Sequence, residues 1–138
     1  MAITQAICDS FRLELGQAIH DLAADTIKIA LYTSSATLGA GTTAYSATNE
    51  VSGTGYSAGG ATLASKAWTV IDNRAVFDCA DPVWTAATIT ARGALIYNAS
   101  KANRAIAVLD FGADIASTNG DFTITLPAAT AADALLRI

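Results

Sequence analysis

The first 23 residues repeat apolar and polar positions with the period of an α-helix. The apolar positions recur at spacings of three or four and are Ile3, Ile7, Phe11, Leu15, Ile19 and Leu22. The polar positions on the opposite face are Gln5, Asp9, Arg12, Gln17 and Asp21. The pattern predicts an amphipathic helix over residues 1–23 whose apolar stripe covers one face of a sheet.

From residue 24 onward the period changes to that of β-strands, as in "TIKIALYTS". The predicted strands lie near 26–34, 62–71, 74–79, 87–98, 104–111, 121–126 and 133–138. Turn residues cluster between them at 72–73, 81–82, 98–103, 112–120 and 127–132. In "ATITARGALIYN", Ile89, Ala91, Gly93, Leu95 and Tyr97 alternate with Thr88, Thr90, Arg92 and Asn98. This alternation predicts one packed face and one polar face.

These elements predict a mainly β fold, with antiparallel strands in a β-sandwich or jelly-roll-like arrangement and one N-terminal amphipathic α-helix. A chain of 138 residues is long enough to bury a stable core. No repeat or linker divides it, so we expect a single domain over 1–138. The helix would occupy 1–23 and the sandwich 24–138.

Residues 35–60 fit this scheme poorly, because they form a long segment rich in Gly, Ser, Thr and Ala. A loop of this length inside a compact domain is usually functional or disordered. Its Tyr45 and Tyr56 are candidate interface residues, since a tyrosine ring offers a large contact area with little entropy to lose. The alternative is that both rings fold back onto the domain.

One part of this loop, Gly53-Thr54-Gly55-Tyr56-Ser57-Ala58, matches the spacing G-x-G-x-x-A of dinucleotide-binding turns. Such a turn needs a buried strand before it and a helix after it. The preceding "LGAGTTAYSATNEVS" is typical of a loop, and the following "ATLASKAWTVID" favours an extended chain. The context therefore argues against a phosphate site, and we expect no cofactor.

Only 14% of the residues are charged, against about 25% in ordinary globular domains. Either neighbouring subunits cover much of the surface or the protein is a weakly charged monomer, and composition leaves both open. The net charge is −4 and the eight Lys and Arg are scattered, which argues against a nucleic acid partner. No apolar run is long enough to span a membrane, so we expect a soluble protein with no membrane partner.

The residue types that catalysis requires are isolated in this sequence. His20 is the single histidine, has no second histidine four residues on, and is expected to be solvated or at the boundary of the core. Cys8 and Cys79 show no disulfide pattern and are expected to be reduced and partly buried. The N-terminus lacks the pattern of a secretion signal, which predicts folding in the cytoplasm. We therefore expect no enzyme activity and no catalytic residues.

Two sets of side chains leave alternatives open. Oxygen ligands for a hard cation such as calcium could converge from Asp110, Asp114, Asn119 and Asp121, although turns use the same residues for their own backbone. A carbohydrate platform would need exposed aromatic residues, for which Trp68 and Trp84 are available. The apolar residues beside both tryptophans favour a place in the core instead.

Three segments carry a wider likeness: "IALYTSSATLGAGTTAYSATNEVSGTGYSAGG", "ATITARGALIYNASKANRAIAVLDFG" and "STNGDFTITLP". They resemble a family of small virion structural proteins of tailed bacteriophages. The likeness runs from the "SF" of the predicted helix to the terminal "ALLRI", whereas "SKAWTVIDNRAVFDCADPVW" is less typical of the family.

The resemblance implies a non-enzymatic virion protein made in the cytoplasm of a bacterial host. Its first expectation is a head decoration or cement protein that binds the major capsid protein or other virion proteins as a homo-oligomer such as a trimer. The alternatives are a neck or tail component and, from a different class, a carbohydrate- or receptor-binding module. Under this resemblance, residues 35–60 would form an assembly arm that lies over neighbouring subunits.

Overall fold

A computed structural model describes residues 2–127 and 136–137, and two antiparallel sheets dominate these ranges. In chain order the elements are β1 (Ala6–Ile7), α1 (Asp9–Gly16), β2 (Ile27–Tyr32), β3 (Ala61–Thr62), β4 (Ala67–Ile71), β5 (Arg74–Asp78), β6 (Val83–Asn98), β7 (Arg104–Thr123) and β8 (Leu136–Arg137). The strand orders are β1-β7-β6-β2-β3 and β4-β5-β8. The predicted mainly β class, antiparallel with a short helix, is confirmed and is consistent with a β-sandwich. The jelly-roll variant stays a prediction.

The N-terminal segment is not one long helix, so the prediction of a helix over 1–23 is wrong. Ile3 forms a parallel bridge with Leu38, β1 pairs with β7, and the helical residues are Asp9–Gly16. The predicted apolar positions still face inward: Ile3, Phe11 and Leu22 are buried, and Ile7, Leu15 and Ile19 are half-buried. No helix in the described part of the chain is long and apolar enough to cross a membrane.

The helix ends early because its last turn closes in a Schellman motif. The N–H of Ile19 bonds to the Glu14 carbonyl, and the N–H of Ala18 bonds to the Leu15 carbonyl. Ala18 takes the left-handed conformation, with φ 59°, that this motif requires. The residue preferred at this position is glycine, so the sequence gives no signal for the end of the helix here.

The central strands β2, β6 and β7 form the core of the five-stranded sheet, with β6 paired to both of the others. The predicted alternation of β6 is correct at 88–91, where the threonines are exposed and the apolar residues buried. It is wrong at 93–98, where every residue is buried. Tyr97 lies under the loop 35–60, and Asn98 contacts the N-terminal segment, so both faces of β6 are covered there.

The predicted turn at 112–120 is wrong, because β7 continues through it and pairs with the first half of β6. Shifts in the pairing register absorb the extra residues. Gly112 (φ 81°) and Asn119 (φ 47°) lie within these shifts, so the turn-forming residues bulge the strand instead of ending it. We call residues 83–91 of β6 and 111–123 of β7, which pair from Ile115 onward, the ribbon.

The second sheet is built on the hairpin of β4 and β5, and its predicted turn is confirmed. Asp72 (φ 47°) and Asn73 (φ 67°) both have the positive φ of a type I′ turn. The strand predicted at 62–71 divides between the two sheets as β3 and β4. The strand predicted at 133–138 is described at β8, and its other residues lie outside the described ranges, as does most of the turn predicted at 127–132.

Candidate interaction surfaces and buried polar clusters

The loop 35–60 lies on the protein's own sheet. Isolated bridges hold its backbone, joining Ala44 to Arg104, Glu50 to Tyr32 and Thr54 to Thr88. Gly60 (φ 79°) crosses β2 so closely that a Cβ there would lie 1.8 Å from the carbonyl oxygen of Ile29. Gly55 (φ 84°) crosses β6 in the same way, with Ala87 Cα at 2.7 Å. Gly55 of the G-x-G-x-x-A stretch, like Gly60 just after it, therefore serves close packing of loop against sheet.

Both predicted interface residues of this loop point into the protein. The hydroxyl of Tyr56 donates to Glu50 Oε2 at 2.5 Å and accepts from the Leu31 N–H at 2.9 Å. The hydroxyl of Tyr45 donates to Glu50 Oε1 at 2.6 Å, and its ring stacks on Tyr97 with centroids 4.8 Å apart. The structure favours the alternative in which both rings fold back. An interface role for Tyr45 and Tyr56 stays a prediction.

Glu50 is the centre of these contacts, and sequence analysis did not single it out. Its Oε2 also accepts the Gly59 N–H at 2.8 Å, and the Tyr97 hydroxyl donates to the Gly59 carbonyl at 2.7 Å. Burial first, and then the bond to the Glu50 carboxylate, raise the pKa of Tyr45 to about 12, and the pKa of Tyr56 rises for the same reasons. Both phenols therefore stay protonated and donate. The loop is held in a defined shape rather than presented as a free arm.

A second polar cluster lies beneath the N-terminal segment and contains His20. The imidazole contacts Glu14 Oε1 through Nε2 at 2.9 Å and Asn98 Nδ2 through Nδ1 at 3.1 Å. Glu14 also forms an ion pair with Arg104. The side chain of His20 is 0% exposed and the residue as a whole is half-buried, so of the two expectations the solvated one is wrong and the boundary one is confirmed. Its Asn98 partner is 78 positions away, which explains why no local pattern indicated it.

Asp25 extends this cluster toward the end of β6. It accepts a hydrogen bond from Asn98 at 2.8 Å and forms an ion pair with Lys101 at 2.8 Å. Burial alone would raise the pKa of Asp25, but hydrogen bonds from Asn98, Lys101 and the Asp21 N–H outweigh it and lower the pKa to about 2. We call the side chains of Glu14, His20, Asp25, Asn98, Lys101 and Arg104 the N-terminal cluster. Its contacts tie the segment after α1 to the sheet.

The residues considered as cation ligands all lie along β7. Asp110 pairs with Arg92 and accepts the Gly112 N–H at 2.9 Å. That backbone bond, followed by the bond from Arg92, lowers the pKa of Asp110. The other three candidates, Asp114, Asn119 and Asp121, are exposed. Within residues 2–127 and 136–137, no group of three or more His, Cys, Asp or Glu residues could hold a metal ion.

The two cysteines are free and buried, as expected from their spacing. Burial raises the pKa of each thiol, Cys8 and Cys79, to about 11. A thiol with such a pKa stays protonated at neutral pH and is a weak nucleophile.

The tryptophans do not form an exposed platform. Trp84 is 6% exposed and packs between Tyr56 and Phe122, with ring centroids 6.0 and 6.1 Å away. Trp68 is half-buried and stands opposite the fully buried Phe77 in the hairpin. The expectation that Trp84 fills the core is confirmed.

An apolar groove opens on the ribbon instead. It has a volume of about 310 Å³ and its apolar lining consists of Phe111, Ile115, Phe122 and Ile124. Ile115 is 46% exposed and leaves a large aliphatic side chain open to solvent at this groove. Residues 112–120 have the composition of a turn, so this surface could not be inferred from local sequence patterns.

A second exposed apolar position lies on the hairpin. Val70 of β4 is 73% exposed, and the strand has β5 as its partner on one side only, among the described residues. The ribbon groove and this edge are the surfaces best suited to bind another protein chain. Comparison of the chain with protein-family models, with curated proteins and with solved structures finds no match.

Proposed function

We propose that this chain is a non-enzymatic structural protein of a tailed-phage virion, with decoration of the head surface as its first candidate role. The observation that carries the proposal is the apolar groove of the ribbon, with Ile115 exposed beside Phe111 and Phe122. An apolar groove of this kind offers a place where an apolar side chain of another subunit or a ligand can pack. The sequence segments that resemble small virion structural proteins of tailed phages support a virion partner.

The ribbon presents an ordered and weakly charged surface, which favours the binding of many copies of the protein to one particle. The aromatic rings of Tyr56, Trp84, Phe122 and Phe111 follow one another with centroids between 6.0 and 6.4 Å apart, and they connect the ribbon to the loop that Glu50 holds. A surface that is already ordered loses little conformational entropy on binding. The low proportion of charged residues, 14%, lowers the desolvation cost of covering such a surface.

The proposed partners are the major capsid protein or other virion proteins, and the protein would act as a homo-oligomer after folding in the bacterial cytoplasm. A neck or tail position would use the same surface and is the second candidate. The carbohydrate-binding alternative loses its support, because Trp84 is enclosed by Tyr56 and Phe122.

The test is binding of the purified chain to phage particles assembled without it. Ile115→Lys places a charge in the groove and is expected to weaken binding at least tenfold, which corresponds to about 1.4 kcal/mol. Because Ile115 is exposed, the melting temperature of the Ile115→Lys variant should match that of the parent. Leu13→Lys is the matched control, since Leu13 is also exposed, at 65%, but lies on α1.

Cosedimentation measures the affinity, and electron microscopy of the saturated particles locates the protein. Density on the head surface supports decoration, whereas density at the neck or tail selects the second candidate. Absence of binding by the parent chain, or equal binding by the parent and Ile115→Lys, would overturn the proposal.

A further inference from the structure

The outer edge of β4 is an unusually open strand edge. The hairpin has a two-residue turn, so Ile71 and Arg74 form the first hydrogen-bonded pair and the bonded positions of β4 are Ala67, Thr69 and Ile71. The backbone N–H and C=O groups of Trp68 and Val70 therefore point away from β5. Among the described residues no strand pairs with this edge.

Edges of this kind usually carry features that block further pairing, such as bulges, prolines, charges or very short length. The ribbon edge of β7 is bulged at its register shifts and carries Asp114 and Asp121, and the edge strands β1 and β3 have two residues each. β4 has none of these features along "AWTVI", and its register with β5 is continuous. The difference singles out β4 as an edge that can accept another strand.

We propose that β4 pairs antiparallel with β4 of a second copy of this chain, across a two-fold axis at Thr69. In this register Trp68 stands opposite Val70 of the other copy, so that the outward backbone groups face each other. The three-stranded sheet then becomes a continuous sheet of six strands. This inference goes beyond the proposed function and does not rest on it.

Charge complementarity favours a second copy of this chain as the partner of β4, and it also favours one pairing register. Lys66 precedes β4 and Asp72 follows it, and neither forms an ion pair with the described residues of its own chain. The two-fold at Thr69 sets Lys66 of each copy opposite Asp72 of the other. A shift of two residues in either direction breaks both of these pairs, so the charges favour one register.

The apolar side chains give the contact its driving force. Val70, 73% exposed in the single chain, would be covered by the half-buried indole of Trp68 from the other copy. Aromatic and β-branched residues form favourable cross-strand pairs. A contact of one short strand per copy is small, so we expect dissociation in the micromolar range, on the order of 10 μM.

The first experiment is analytical ultracentrifugation of the full chain from about 1 to 300 μM, a range that brackets the expected dissociation constant. A monomer–dimer equilibrium is expected. Val70→Lys should weaken it at least tenfold, because it places like charges next to the axis, while Leu13→Lys leaves it unchanged. Lys66→Asp should weaken the dimer, and adding Asp72→Lys to it should restore much of the affinity, since the ion pairs are then reversed in place.

The second experiment tests the axis itself by cross-linking. Thr69 faces its own copy in a non-hydrogen-bonded pair, where Cα atoms lie about 4.5 Å apart and a disulfide fits. Thr69→Cys should therefore form a covalent dimer on mild oxidation. Ala67→Cys should not, because the two copies of residue 67 would lie about 14 Å apart, given the rise of a strand and the spacing between strands. The parent, with Cys8 and Cys79 buried, is the background control.

A covalent dimer with Thr69→Cys, together with loss of the equilibrium in Val70→Lys, supports the proposal. A chain that stays monomeric over the whole range, a trimer, or a dimer that survives Val70→Lys and does not cross-link at residue 69 would overturn it. A dimer that forms normally while particle binding fails would separate this inference from the proposed function.

Discussion

The environment of Asp25 lowers the pKa of its carboxyl group and makes the stability of the fold depend on pH in the acidic range. The residue is 9% exposed, and its carboxylate is held by Asn98 and Lys101, which lie more than 70 positions away in the sequence. These bonds favour the charged form, and they lower its pKa to about 2 from the model-compound value of 3.8. A group with a lowered folded-state pKa stabilises the fold above its unfolded pKa, and the contribution is lost as the pH falls through the folded value.

We therefore expect Asp25→Asn to reduce the free energy of unfolding at pH 7 by roughly 2 kcal/mol, the value of hydrogen bonds to a charged group. The deficit should shrink as the pH falls from about 4 to about 2, because the parent loses the same contribution in that window. Urea unfolding at several pH values measures both effects.

The exposed Asp114 offers a matched control, and Asp114→Asn is expected to leave stability within about 0.5 kcal/mol of the parent. A deficit for Asp25→Asn that stays constant from pH 7 to pH 2 would contradict the assigned pKa of Asp25.

At the scale of elements, the short helix α1 contributes to stability mainly through the packing of one buried side chain. It has eight residues, yet its Phe11 is 0% exposed and its ring lies 5.0 Å from the ring of His20. His20 of the N-terminal cluster thus packs against Phe11. Most of the stability of so short a helix comes from this packing and not from its own hydrogen bonds.

Phe11→Ala is expected to cost about 3–5 kcal/mol, because it opens a cavity in the core. Phe11→Asp should cost more, since it adds a buried charge without a partner, and is expected to yield little folded protein. Leu13→Ala on the exposed face is the control and should change stability by less than about 0.5 kcal/mol. Thermal and urea unfolding give the values, and equal stability of Phe11→Ala and the parent would contradict the packing of α1 on the sheet.

Local patterns predicted the elements whose ends carry unambiguous signals. β2, β5 and the Asp72-Asn73 turn were predicted correctly, because alternation and a type I′ turn are properties of neighbouring residues. The ribbon was not predicted, since Gly112 and Asn119 serve a bulge as readily as a turn. The length of the helix was not predicted either, because Ala18 occupies the left-handed position that glycine normally marks.

The buried clusters were beyond sequence analysis for a different reason. Glu50, His20 and Asp25 are ordinary polar residues in the sequence, and their roles come from partners that the fold brings to them. Tyr45 and Tyr56 are candidate interface residues by composition alone, but the direction in which their rings point depends on Glu50. Tertiary contacts of this kind leave no periodic pattern in the chain.

At the scale of the whole molecule, the loop 35–60 is part of the fold. The Glu50 carboxylate binds Tyr45, Tyr56 and the Gly59 N–H, and Val51, 4% exposed, packs in the core. An assembly arm that only lies over neighbouring subunits could be shortened with little loss of stability, since long surface loops add little to it. The structure gives the opposite expectation, because removing the loop uncovers β2 and β6.

We expect deletion of residues 40–53, bridged by a short Gly-Ser linker, to destabilise the chain by several kcal/mol, on the order of the loss of a buried polar cluster and a core aliphatic residue together. The Tyr97 ring would lose its stacking partner Tyr45, and the Tyr56 hydroxyl would lose Glu50.

Glu50→Gln is the graded comparison, since it keeps the loop and its shape but removes the charge that both tyrosines bind. Its cost should be smaller, roughly 1–3 kcal/mol. Differential scanning calorimetry ranks the parent, Glu50→Gln and the deletion variant by thermal stability. A deletion variant that melts like the parent would mean that the loop contacts contribute nothing to the stability of the fold.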